Sequence, residues 1–229
     1  VTIVSFSGID GAGKSTQISE LQLWLSQSGR STKLVTFWDD VVVLCRLREY
    51  MSHRAFKGDQ GIGSPDKPLQ RRDKNVTSLP VTASRFFFYF ADALSLAIKS
   101  RKLKSSQADV VIFDRYIYDE LANLPLKSRL VHAFIWLTLK LVPKPDVSYI
   151  IDADPAAAIA RKPEYPLDFL HRNRHAYLNL SKLAGNITLI QPASIEAMQA
   201  DIRAKMVQAL PARNGRSPYV ETQRIPVNH

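Results

Sequence analysis

The chain has 229 residues, 31 lysines and arginines against 21 aspartates and glutamates, and a formal net charge of +10. That length suits one α/β domain with a well-buried core, and 45% hydrophobic with 23% charged residues argues against long-range disorder. The single cysteine, Cys45, excludes an intramolecular disulfide and, following Val-Val-Val-Leu, suits a packed hydrophobe better than a nucleophile.

The basic balance fits either a nucleic-acid binder or a site built to hold several phosphates. The basic residues are scattered, with no aromatic-interleaved binding motif beside them, which favours a solvated basic surface around a polyphosphate site. The longest apolar stretch, residues 130–142, is interrupted by His132 and Lys140 and falls short of the roughly 20 residues that span a bilayer. The N-terminus opens directly into Val1-Thr-Ile-Val-Ser-Phe6 without a leader pattern, so we expect a cytoplasmic protein with no membrane partner.

Taken in chain order, Val1 to Phe6 reads as a strand, and Ile18, Leu21, Trp24 and Leu25 then recur at helical spacing up to Gly29, placed as a cap just past the helix end. A second strand covers Lys33 to Phe37. Residues 52–80 carry Gly58, Gly61, Gly63, Pro65, Pro68 and Pro80 among charges and predict a long irregular excursion. Val81 to Lys104 predicts a long, very apolar helix whose run Phe86-Phe-Phe-Tyr-Phe90 covers the sheet or another subunit.

A third strand, Val110 to Phe113, is followed by a helix over about residues 127–141 that Pro143 and Pro145 stop, and by a fourth strand, Val147 to Ile151. Asp154-Pro155 reads as an N-cap with proline at the first helical position. Pro163 and Pro166 break that helix; another runs from Leu167 to Leu183, a fifth strand covers Ile187 to Ile190, and a last helix spans Ser194 to Leu210. The β-branched strands mostly lack strict alternation, as in a parallel sheet covered on both faces. The expected fold is α/β in three layers, a five-stranded parallel sheet wrapped by helices. We expect a single domain over residues 1–210, with a lid at about 160–172 and a polar tail over 211–229.

The pattern G-x-x-x-x-G-K-[ST] is met by Gly8, Gly13, Lys14 and Ser15, after an apolar strand and before an amphipathic helix. Gly8, Gly11 and Gly13, with Ala12 between them, let backbone N–H groups close on a triphosphate at a helix N-terminus. Lys14 is expected to reach the β- and γ-phosphates of ATP, the Ser15 hydroxyl to ligate Mg²⁺, and Thr16 to bond the α-phosphate side. Asp10, a carboxylate inside the loop, is expected to face the acceptor. It either accepts a hydrogen bond from a sugar hydroxyl or acts as a general base.

Asp114-Arg115-Tyr116 stands at the C-terminal end of a strand, where open α/β sheets place ligands. Asp114 is placed to orient magnesium water and Arg115 to clamp a phosphate on the acceptor, unless the two form a plain strand-end salt bridge. Arg161-Lys162, with Arg172 and Arg174 behind them, supply a lid arginine that neutralises the transferred phosphoryl group and excludes water; a solvated basic face is the alternative for Lys162 and Arg174.

At Phe6-Ser-Gly-Ile-Asp-Gly-Ala-Gly-Lys-Ser-Thr16, Phe113-Asp-Arg-Tyr116, Ile151-Asp-Ala-Asp-Pro155 and Tyr177-Leu-Asn-Leu180 the chain resembles the thymidylate kinase family over roughly residues 1–209. The resemblance implies ATP and Mg²⁺ as donor, a lid over the phosphates, Asp10 on the acceptor sugar, Arg115 on the acceptor phosphate, Arg161 acting from the lid, and often a homodimer packed through apolar helices. With no arginine in the phosphate loop, the lid supplies that charge. The chain departs from the family at Thr36-Phe-Trp-Asp-Asp40, at Ala91-Asp-Ala-Leu94 where a helix arginine is usual, and at Ala122-Asn123. Trp38, Arg46, Phe87 and Tyr116, with Asp39 and Arg48 beside them, are the candidates to replace those acceptor contacts.

The function expected is transfer of the ATP γ-phosphate to a nucleoside monophosphate, dTMP first. The alternatives are a P-loop kinase with another small-molecule acceptor, such as a nucleoside or sugar, and a nucleotide-binding regulatory or nucleic-acid-associated ATPase. The lack of a reader motif disfavours the last.

Overall fold

The computed structural model describes residues 1–43, 79–125 and 128–211. Cys45, Arg46, Arg48, nearly all of the excursion and the tail beyond residue 211 lie outside the described residues. All five expected strands form, and they pair in parallel in the order β2-β3-β1-β4-β5.

Strand β1 (Thr2–Ser7) is central, with every residue buried, and it pairs β3 (Val110–Asp114) on one side and β4 (Val147–Ile151) on the other. Burial of successive residues means that helices cover both faces, which is why these segments read as continuous apolar runs without alternation. β2 (Thr32–Thr36) and β5 (Ile187–Ile190) form the edges. A stack of Phe6 on Tyr149, centroids 5.0 Å apart, joins the two central strands inside the core.

Helix α1 (Lys14–Gln27) ends in a Schellman turn. Gly29 has φ of 69°, its N–H reaches the Ser26 carbonyl at 2.8 Å, and the Arg30 N–H reaches that of Leu25 at 2.9 Å. β2 stops one residue sooner than expected. Phe37 is fully buried and opens a π-helical turn over Phe37–Val41, closed by the Val42 N–H on the Phe37 carbonyl at 3.0 Å. The Asp40 carboxylate accepts from the Thr36 N–H at 2.9 Å, which favours leaving the ladder.

Helix α2 (Leu79–Leu103) braces that turn, Ser95 Oγ donating to the Val41 carbonyl at 2.7 Å and the Asp92 carboxylate accepting from the Val43 N–H at 2.6 Å. Asp92 is fully buried there. A short helix, α3 (Ile117–Leu121), was not anticipated from the sequence; it packs with α2 and follows β3 directly. α4 (Arg129–Leu141) packs on α2 through a stack of Phe134 on Phe86 with centroids 4.5 Å apart.

α5 (Pro155–Arg161) starts as read, with the Asp154 carboxylate accepting from the Ala157 N–H at 2.9 Å and proline in the first turn. α6 (Leu167–Ala184) ends at Gly185, whose φ is 70°. α7 (Ile195–Ala209) packs on α1, where Gln199 Nε2 donates to the Gln17 backbone carbonyl at 2.9 Å, and on β4, where the Tyr149 hydroxyl donates to the Ile202 carbonyl at 2.7 Å. The C-terminal ends of β1, β3 and β4 thereby bring Gly8, Arg115 and Asp152 to one edge of the sheet.

Candidate active site

The loop between β1 and α1 is tightly enclosed. Gly8 has φ of 143° and a Cβ there would stand 2.5 Å from the Ile151 carbonyl oxygen; Gly11, at φ of 82°, would meet the Ala158 backbone. Only glycine fits both positions, because the left-handed conformation and the neighbouring carbonyls each exclude a side chain. Lys14 is 6% exposed, and its Nζ donates to the Gly8 and Ile9 carbonyls at 2.9 Å each, folding the side chain back over the loop. Burial first, and the Arg115 charge second, lower its pKa from 10.5 to about 8. Ser15 and Thr16 are exposed at the mouth of the loop, at the first turn of α1.

Arg115 leaves β3 with φ of 72°, while its N–H continues the sheet ladder to the Phe6 carbonyl at 2.9 Å. That strained backbone turns the guanidinium back over β1. Nη2 donates to Asp10 Oδ1 and Nη1 donates to Asp119 Oδ1 at 2.9 Å. Burial acts to lower the arginine pKa, but the charges of Asp10 and Asp119 more than offset it and hold it well above the usual range. Its ion-pair partners are therefore a loop carboxylate and a carboxylate on α3, in place of the neighbouring Asp114.

Asp119, 3% exposed, is the hub that sequence reasoning missed. Its Oδ1 also accepts from the Tyr177 hydroxyl at 2.9 Å and its Oδ2 from the Tyr116 N–H at 3.2 Å. Burial, and then the Asp119 charge, raise the Tyr177 pKa well above its ordinary value, so the phenol stays a donor. The network continues: Asn123 Nδ2 donates to the Asp119 carbonyl at 2.9 Å and Asn173 Nδ2 to the Ala122 carbonyl at 3.3 Å. Arg85, 8% exposed on α2, donates to the Asn123 carbonyl at 3.2 Å. A buried arginine thus does stand on the long helix, two turns before Ala93. An acidic residue four positions after an arginine was the one local signal for Asp119.

The other candidates divide. Arg161 is exposed, its Nε donates to the Ala157 carbonyl at 3.2 Å, and its Nη1 lies 4.0 Å from where a Cβ on Gly13 would be, so it overhangs the phosphate loop. Arg172 Nε donates to the Asp168 carbonyl at 3.3 Å, and Arg174 is held bidentately by Asp152 at 2.7 Å per bond. Lys162 pairs with buried Glu164 at 3.3 Å. Asp114 sits at the end of β3 and contributes to the field at Lys14.

Among the tentative acceptor contacts, Tyr116 is 1% exposed and spends its hydroxyl on the Pro143 carbonyl at 2.5 Å, a core role. Phe87 is 69% exposed, its ring edge-on to Phe88, and is not brought to the loop. Trp38 is half-buried, packing edge-on against Phe37 in the π-helical turn.

The thymidylate kinase family model matches residues 74–202, more than half of the chain. The chain belongs to the thymidylate kinase family. A probable thymidylate kinase of Methanosphaera stadtmanae is 27% identical over 212 residues, covering 90% of this chain and 98% of its own. A thymidylate kinase of Bifidobacterium longum subsp. infantis is 27% identical over 238 residues, covering 93% and 94%. Among solved structures, the Candida albicans thymidylate kinase superposes with a TM-score of 0.62 at 17% identity, covering 92% of this chain and 93% of its own. That of Ehrlichia chaffeensis gives 0.58 at 20% identity, covering 90% and 98%. The phosphate loop lies N-terminal to the span matched by the family model, while the relatives align with about nine-tenths of the chain.

Proposed function

We propose that this enzyme transfers the γ-phosphoryl group of ATP to dTMP. One observation carries the reading beyond the family relation: a single arginine, Arg115, joins the phosphate loop through Asp10 to the α3 side of the site through Asp119. Donor and acceptor sites that share a wall in this way favour direct in-line transfer, since little of the barrier is left to diffusion once both nucleotides are bound.

On this reading the loop N–H groups and Lys14 hold the β- and γ-phosphates. Lys14 exchanges the Gly8 and Ile9 carbonyls for phosphate oxygens, a stronger charge-assisted pairing. The glycine cradle that a Cβ would fill suits a polyphosphate, and the Ser15 hydroxyl with Asp114 are the groups that would hold Mg²⁺. When bound, that ion would offset negative charge on the triphosphate. Asp10 receives the acceptor sugar hydroxyl, Arg115 the acceptor phosphate, and Arg161 the charge that builds on the transferred group.

A chain with no helix, among the described residues, long and apolar enough to cross a membrane fits work in the cytoplasm. Phe87, Phe90, Leu94 and Ile98 form an exposed apolar stripe along α2, which supports a homodimer. The deciding experiment measures ADP release with dTMP and with a panel of other nucleotides and nucleosides. Stimulation by dTMP above the rest is expected; a nucleoside preferred over every monophosphate would overturn the proposal.

A further inference from the structure

Arg115 meets two carboxylates, and an incoming phosphate must reckon with both. Asp10 and Asp119 each take a hydrogen bond from it, one per Nη atom. The two carboxylates already occupy both Nη atoms of the guanidinium, with the Lys14 ammonium as the further cation nearby, before an acceptor phosphate carrying close to two further negative charges arrives. In a buried site the repulsion between phosphate and carboxylates is poorly screened, and a two-bond fork to the phosphate asks Arg115 to give up at least part of its present pairing.

The two carboxylates are not equally able to leave. Asp119 keeps the Tyr177 hydroxyl at 2.9 Å on Oδ1 and the Tyr116 N–H at 3.2 Å on Oδ2 when Arg115 turns away. Its charge stays hydrogen-bonded, so the cost of burying it without a cation is reduced. Asp10 stands on the phosphate loop itself, where the acceptor sugar hydroxyl is its assigned partner.

We propose that Asp119 is a positioning residue that competes with the acceptor's phosphate for Arg115, and that handing its carboxylate over to Tyr177 and the Tyr116 amide sets acceptor affinity. With the acceptor absent, Asp119 keeps Arg115 paired and fixed over β1. With the acceptor present, the phosphate takes the freed guanidinium edge and Tyr177 retains the carboxylate. The proposal rests on the kinase reading above for the identity of the acceptor.

The test uses two variants with opposite expected signs. Asp119→Asn removes the competing charge while keeping shape, so KM for dTMP falls by about tenfold, the scale of one charge-assisted bond, while KM for ATP moves less than twofold. Tyr177→Phe removes the group that receives the displaced carboxylate, so KM for dTMP rises instead. A role in folding alone moves the melting temperature and leaves the two KM values in step. Asp119→Asn with unchanged or higher KM for dTMP overturns the proposal. If that variant does not fold, an unchanged KM in Tyr177→Phe overturns it.

A probe free of the acceptor's identity separates this from the functional reading. With the donor loop filled by saturating ADP, inorganic phosphate is titrated against thermal unfolding. A larger phosphate-induced rise in Tm for Asp119→Asn than for the unmodified chain supports the competition even if dTMP proves not to be the acceptor. An equal rise in both overturns it.

Discussion

Burial of the Lys14 ammonium against two loop carbonyls, with the Arg115 charge beside it, lowers its pKa from 10.5 to about 8. A triphosphate reverses that bias, because it stabilises the charged form. Above about pH 8, binding therefore takes up a proton, and ATP affinity weakens by roughly tenfold or more between about pH 7 and about pH 9.5. Calorimetry at both pH values in two buffers of different ionisation enthalpy reads the uptake directly; a flat affinity with no buffer dependence would show the ammonium charged throughout. The sign for stability is the reverse. Between about 8 and 10.5 the unfolded chain holds the proton and the folded chain releases it, so this group's contribution rises with pH. In denaturant titrations the unmodified chain thus gains on Lys14→Met across that window. Gly11 makes a second residue-scale case: Gly11→Ala drives a Cβ into the Ala158 backbone at a left-handed φ, whereas at Gly13 the nearest atom is Arg161 Nη1 at 4.0 Å. Gly11→Ala should lower Tm and abolish ATP binding, and Gly13→Ala should cost in stability only the roughly 1–2 kcal/mol of its backbone conformation while its Cβ enters the phosphate cradle and weakens ATP binding as well.

At the scale of elements, the segment proposed as a lid, about residues 160–172, runs from the end of a short helix through a loop broken by Pro163 and Pro166 into a longer helix, and the arginines along it make separate contacts. Arg174 is spent on Asp152, anchoring α6 to the end of β4, while Arg161 overhangs Gly13 from the last turn of α5. Arg161→Ala should slow turnover on the order of 10³-fold with a smaller change in KM for ATP; an unchanged kcat would pass the role to Arg172. Asp154→Ala tests the other end of that helix, where loss of the N-cap costs about 1 kcal/mol. The cap, the glycine-rich loop and the Schellman end of α1 were legible in the sequence because each is written within a few adjacent residues. The Asp10–Arg115 pair spans 105 residues, and nothing in local periodicity reports such a meeting. The π-helical turn and α3 escaped for a related reason. Buried Phe37 and the Asp40 carboxylate end β2 early, and α3 has only five residues, too few to show a helical period. Arg85 is not legible because burial of an arginine two turns before Ala93 depends on the Asn123 carbonyl across the helix interface.

For the molecule as a whole, α2 carries two opposed faces. Tyr89, Ala93, Leu96 and Ser100 are buried, and Arg85 and Asp92 with them, committed to the Asn123 carbonyl and the Val43 N–H. The opposite face exposes Phe87 at 69%, Phe90 at 39%, Leu94 at 42% and Ile98 at 53%, spaced three, four and four residues apart and so aligned along one side. A helix apolar all round is one that is covered all round, and a stripe of this kind on a lone monomer costs hydration with no return. A second copy applying the same stripe would bury both at once, as an isologous interface does. The buried face that carries Arg85 and Asp92 and the exposed stripe then share one helix, so dimerisation would brace both residues from behind. Phe87→Glu with Ile98→Glu places charges in that seam while leaving the buried face untouched. Sedimentation velocity should show a dimer for the unmodified chain and a monomer for the double variant, with lower Tm and reduced kcat in the monomer because α2 loses its outer support. A monomer in both cases would remove the dimer, and a monomeric variant with full activity would show that α2 keeps its place without that support.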